Sequence, residues 1–130
     1  MRLEGTLKGE DWREEIIEGA PHSAKITSVA ETWALGGSVA GYGEAFYLLA
    51  YAADGSVIFR GFDRLHVLDE AHKGTLVLST TGRFGEHMAQ ATWRLEPSLC
   101  SGAFASYTSG QGGYTAGAEG PVPFSLALTR

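Results

Sequence analysis

From Glu44 to His66, apolar and polar positions alternate along two runs that meet at Asp54-Gly55, a dipeptide that tolerates the positive φ of a tight hairpin turn. The pattern predicts a local antiparallel pair, Gly43 to Ala53 and Ser56 to Leu68. Elsewhere short apolar runs are broken about every ten residues, often at one of 18 glycines, which describes many short strands rather than helices. Further strands are predicted at Arg2 to Lys8, Ala24 to Trp33, Thr75 to Thr81 and Met88 to Leu95. Beyond a Gly-rich stretch, Ser101 to Gly117, a last strand places Val122, Phe124, Leu126 and Leu128 on one face. A meander of seven or eight strands with tight turns must hide its sheet edges, by closing into a barrel or folding into two packed layers, and the barrel is the favoured solution. The expected fold is all-β: one domain over residues 1–130, a single closed antiparallel barrel of about eight strands. One segment departs from this pattern. Asp11, followed three residues later by Glu14, resembles a capping box and predicts a short helix within Glu10 to Glu18, with an acidic loop pinned by Trp12 as the alternative.

Composition narrows the classes of function. A chain of 130 residues, 44% hydrophobic, suffices for one core that buries about two-thirds of the unfolded surface. The net charge is −5 and the seven Arg and three Lys are scattered, which argues against nucleic acid. No apolar run approaches the roughly 18 residues that span a bilayer, so no membrane partner is expected. The start, Met1 to Lys8, is too acidic for a signal peptide, and the expected location is the cytoplasm. Cys100 is the one cysteine, which excludes an intramolecular disulfide and fits a reducing compartment. Its neighbours supply no base to make a thiolate, so it reads as a buried or turn residue. His22, His66, His72 and His87 lack metal-ligand spacing, and Gly36 to Ala40 lacks the last glycine of a nucleophile elbow. No metal and no cofactor is implied.

Gly37-Ser38-Val39-Ala40-Gly41-Tyr42-Gly43, Tyr47-Leu48-Leu49-Ala50-Tyr51, Ala53-Asp54-Gly55-Ser56, Phe59-Arg60-Gly61-Phe62-Asp63-Arg64, Lys73 to Leu78, Thr81 to Phe84, Ala91-Thr92-Trp93 and Gly110 to Gly113 occur in an order and spacing that resemble a small bacterial domain family of unknown function with allene-oxide-cyclase-like, or calycin-like, barrels. The resemblance spans most of the chain, including Trp12. It departs at Ser98 to Gly102 and at Thr80, where His or Gln is common in that family. It implies a closed barrel with a lumen. That family has no established activity, so it implies no residue roles.

The candidate chemistry centres on an acid within an apolar face. Period-two alternation puts Val57, Phe59, Gly61, Asp63, Leu65 and Val67 on one side of their strand, the expected interior, and Arg60, Arg64 and His66 on the other. A carboxylate there resists ionisation unless donors reach it, which makes Asp63 the candidate catalytic proton-transfer group; the alternative is a structural acid satisfied by a tyrosine or backbone donor. Hairpin pairing about Asp54-Gly55 sets position 46 nearest Asp63 and so puts Phe46, Leu48 and Ala50 on its face. A bulge at Gly61 would instead bring in Tyr47 and Tyr51, the inward pair that the family-like spacing favours. Trp33, Trp93 and Thr80 complete the candidate ligand-binding set, with Ala89 and Ala91 leaving space beside Trp93; packed indoles that fill a narrow barrel are the competing reading. The expected function is binding of a small apolar or aromatic molecule in the lumen, with isomerase- or cyclase-type activity left open. The contrasting expectation is a ligand-free structural or interaction module, and homo-oligomerisation is open in both.

Overall fold

The computed structural model describes residues 1–117 and 120–130. Nine strands follow one another: β1 Arg2–Gly19, β2 Lys25–Gly36, β3 Gly41–Tyr51, β4 Val57–Val67, β5 Gly74–Gly85, β6 Met88–Leu95, β7 Ser101–Gly102, β8 Ser109–Ala116 and β9 Val122–Thr129. Eight of them form a ring in the order β4-β3-β2-β1-β9-β8-β6-β5, closed by pairing of β4 with β5. Every pairing is antiparallel, and β7 lies outside the ring against Gly74 and Thr75. Among the described residues no helix is long and apolar enough to cross a membrane.

Alternation accounts for the core. In β6 every second residue, Ala89, Ala91, Trp93 and Leu95, is buried, and in β4 the buried set is Val57, Phe59, Asp63, Leu65 and Val67. These inward rows meet in one continuous core. One end of the barrel is plugged. Val39 from the β2–β3 turn, and Phe104 and Tyr107 from the β7–β8 connection, are buried in that core, with Ala103 N–H donating to the Lys73 carbonyl at 2.9 Å.

Two expectations are corrected. The segment Glu10 to Glu18 is strand, not helix or loop: it continues β1 and pairs with β2 from Asp11↔Thr32 to Glu18↔Ile26, with irregularities at Gly9/Asp11 and Ile16/Glu18. An isolated helix of that length is marginal, whereas the ladder to β2 satisfies backbone groups along the whole segment. The second correction is the hairpin register. The β3–β4 turn holds three residues, not two: Ala52 and Ser56 pair across it, Gly55 sits at φ +90°, and Asp54 Oδ1 accepts from Ser56 N–H at 2.9 Å and Ser56 Oγ at 2.6 Å. Register moves by one residue, so Ala45, not Phe46, faces Asp63, and Tyr47 faces Gly61. Tyr47 and Tyr51 thereby share the Asp63 face with no bulge at Gly61. Glycine is needed at 61 for close approach instead, because a side chain there would run into the Phe46 carbonyl oxygen.

Candidate functional site

Four strands, β2, β3, β5 and β6, bring donors to Asp63 of β4. Its carboxylate is fully buried and accepts from four side chains: Tyr47 Oη at 2.8 and 2.7 Å to the two oxygens, Trp33 Nε1 at 3.3 Å to Oδ1, and Thr80 Oγ1 at 2.9 Å and Trp93 Nε1 at 2.7 Å to Oδ2. Since Tyr47 gives its proton to Asp63, Tyr114 is the donor in the 3.0 Å bond between the two phenols. Tyr114 is wedged edge-on between Trp33 and Trp93, with ring centroids 6.0 and 5.7 Å away. The result is a line of hydrogen bonds, Tyr114 to Tyr47 to Asp63, inside an aromatic cage.

Burial sets the electrostatics of this line. It pushes Asp63 above the ordinary carboxylate value, against the pull of the Tyr47, Trp93, Thr80 and Trp33 donors. It also pushes Tyr47 and Tyr114 up, and the Asp63 charge adds to both shifts. No ion pair is made to Asp63 among the described residues, so these neutral donors alone hold its charge.

At the end opposite the plug, the wall is incomplete. The last β1–β9 pair is Leu7↔Val122, and beyond it β1 is paired on one edge only among the described residues. Trp12, Glu14 and Ile16 lie across from the inward Glu31, Val29 and Thr27 and so face the barrel mouth. Trp12 and Ile16 are each 44% exposed there. Glu14 is well held: Oε2 accepts from Tyr51 Oη at 2.6 Å and Thr27 Oγ1 at 2.7 Å, and Oε1 from Trp12 Nε1 at 3.1 Å. Burial alone would raise Glu14, but these donors and the Lys25 charge bring it below the ordinary value. Tyr51, in turn, is pushed to about 12 by burial and by Glu14.

Glu31 behaves differently. It stands beside Ala45 and Asp63 along one inward row, and its carboxylate fills the space that a side chain on Gly9 would take. No hydrogen-bond donor reaches that carboxylate among the described residues, and burial together with the Asp63 charge lifts it to about 7.

The structure thus gathers five of the six expected residues, Asp63, Tyr47, Trp33, Trp93 and Thr80, into one cluster, and sets Tyr51 apart at the mouth. Sequence reasoning missed Tyr114 and Glu31 as neighbours of this cluster, and Glu14 and Trp12 as neighbours of Tyr51 at the mouth. The alternation Val29, Glu31, Trp33 carries the same signal that exposed Asp63, whereas Trp12 and Glu14 were hidden by the capping-box reading. Elsewhere, Cys100 is half-buried, receives the Val77 N–H at 3.4 Å and is pushed up by burial. Among the described residues no three His, Cys, Asp or Glu side chains are grouped to hold a metal ion.

Fold and site together define a small closed antiparallel barrel with a buried acid held by four side-chain donors. The family described as "Protein of unknown function (DUF3224)" matches residues 3–128, and the chain belongs to that family. No curated protein matches it.

Proposed function

We propose that this barrel binds a small apolar or aromatic molecule at its open mouth, against Trp12 and Ile16, with Glu31 and Tyr114 as its polar contacts. The observation that carries the reading is Glu31: an inward carboxyl, near neutrality in its proton affinity, with no donor among the described residues, set beside exposed apolar side chains. A few polar groups placed at an apolar concavity are what orient a ligand. The seat lies at the end of the lumen rather than its centre, because Phe59, Trp93, Leu49 and Leu65 fill the middle.

A carboxyl near 7 exchanges protons at neutral pH, which suits an isomerase- or cyclase-type reaction on a ligand held in one conformation. In this reading Asp63 does not touch the ligand. It acts as a positioning residue that fixes Tyr47 and, through it, the Tyr114 hydroxyl. The half-buried single cysteine accords with a cytoplasmic setting.

The reading is tested by extracting freshly purified protein and identifying released molecules by mass spectrometry, with Ala116→Trp alongside. Ala116 pairs with Ala89 on the inner wall, so the indole would obstruct the mouth. An apolar molecule released from the wild type and absent from Ala116→Trp supports the seat. Equal recovery from both, or none from either together with no binding of an apolar fluorophore, overturns it.

A further inference from the structure

We propose that the outer face of β1 to β4 is a two-fold interface with a second copy of this chain. The barrel's interior explains the inward residues, but not why the outward side chains of its central strands are large and apolar. Leu48 and Ile58 are 53% and 55% exposed, and Phe46, Phe62 and Ile26 are also exposed. Phe46, Leu48 and Phe62 line an open groove of about 880 Å³ whose rim carries Arg13, Glu15 and Arg60, and Ile26 and Ile58 lie on the same outer face. A contiguous exposed apolar face on a small domain marks an interaction surface.

The pattern on this face identifies the occupant. Registered pairs put Glu15, Ser28, Leu48 and Arg60 in one row across β1, β2, β3 and β4. The row reads acidic, small, large, basic. Glu15 and Arg60 stand three strand spacings apart, about 14 Å, too far to meet within one chain, and neither makes an ion pair among the described residues. A two-fold axis lying between the two faces, parallel to the strands and passing between Ser28 and Leu48, reverses the row onto itself. It sets Glu15 of each copy on Arg60 of the other and each Leu48 over a Ser28.

The flanking rows obey the same operation. One holds Ala30, Phe46 and Phe62, the other Glu18, Ile26, Ala50 and Ile58. The rotation lays Phe46 on Ala30 and Ile26 on Ala50, with Ile58 against Glu18 at the edge. Arg13, already paired with Asp11 at 3.5 Å and registered with Ala30, lies with its alkyl stem over Phe62. Opposite charges meet, and Leu48, Phe46 and Ile26 each meet a small residue, which is the self-complementarity that an isologous dimer requires and an unrelated partner does not.

The experiment is sedimentation equilibrium on the full chain and on Glu15→Arg, Arg60→Glu and the double variant, all exposed substitutions that leave the core intact. The wild type is expected at twice the 13.8 kDa chain mass. Each single reversal is expected to weaken association roughly tenfold to a hundredfold, and the double variant to recover it. A wild type that stays monomeric at its highest soluble concentration overturns the interface, including when the groove then takes up an apolar fluorophore. A dimer indifferent to all three variants, or singles that dissociate without rescue in the double, overturns it equally.

Discussion

Replacing Glu31 by Gln should change the stability of this protein in a manner set by pH. The Glu31 carboxyl is raised from the ordinary 4.5 to about 7, first by burial and then by the Asp63 charge. Below about pH 4.5 it is protonated in both folded and unfolded chains and contributes no difference. As pH climbs from there to about 7, the unfolded chain releases its proton first, so native stability falls; above about 7 the loss is complete. The full shift corresponds to roughly 3 kcal/mol, and because the side chain is only half-buried, solvent screening reduces this to about 1–2 kcal/mol. Glutamine keeps the shape without the titration. Urea unfolding followed by tryptophan fluorescence should therefore show Glu31→Gln equal to the wild type near pH 4 and more stable by about 1–2 kcal/mol near pH 8, worth a few degrees in Tm. Removing the Asp63 charge as well should move the wild-type step to lower pH. A stability difference constant across pH, or a variant weaker than the wild type at pH 8, would refute the placement of Glu31 beside Asp63.

Asp63→Asn should cost about 1–3 kcal/mol in denaturant unfolding, because the amide NH₂ replaces one acceptor oxygen and leaves a buried indole N–H, that of Trp33 or Trp93, facing a donor. An unchanged midpoint would show that the four donors do not depend on the carboxylate. Gly61→Ala should destabilise by more than about 2 kcal/mol, since its methyl group meets the Phe46 carbonyl, whereas Gly55→Ala, in open space at φ +90°, should cost only about 1 kcal/mol for the left-handed backbone. Equal losses in thermal melts would contradict the close approach at Gly61.

The alternation that placed Asp63 inward was readable because β4 is buried on one face and solvated on the other, so each residue's side is dictated by parity alone. Parity does not carry across a turn. Asp54-Gly55 fits a two- or a three-residue loop equally well, and the choice, made by the Asp54 carboxylate on Ser56, decides whether Phe46 or Tyr47 shares the Asp63 face. Glu10 to Glu18 was misread for a different reason: its local signal is that of a helix start, and what makes it strand is β2, a partner separate in sequence. Tyr114 was obscured among glycines, whose strand character depends on pairing with β6 and β9. The position of the mouth follows from where β9 begins against β1, which no single segment encodes.

An apolar ligand seated at the mouth and one bound in the outer groove would perturb different side chains. The three indole N–H signals of Trp12, Trp33 and Trp93 in a ¹⁵N correlation spectrum report on mouth and core, and the methyls of Leu48 and Ile58 on the outer face. On titration with the molecule released from the native protein, or with an apolar fluorophore, a seat at the mouth gives a large shift at Trp12 and a smaller one at Trp33, with Leu48 and Ile58 unmoved. Shifts confined to Leu48 and Ile58, with Trp12 unmoved, would contradict it.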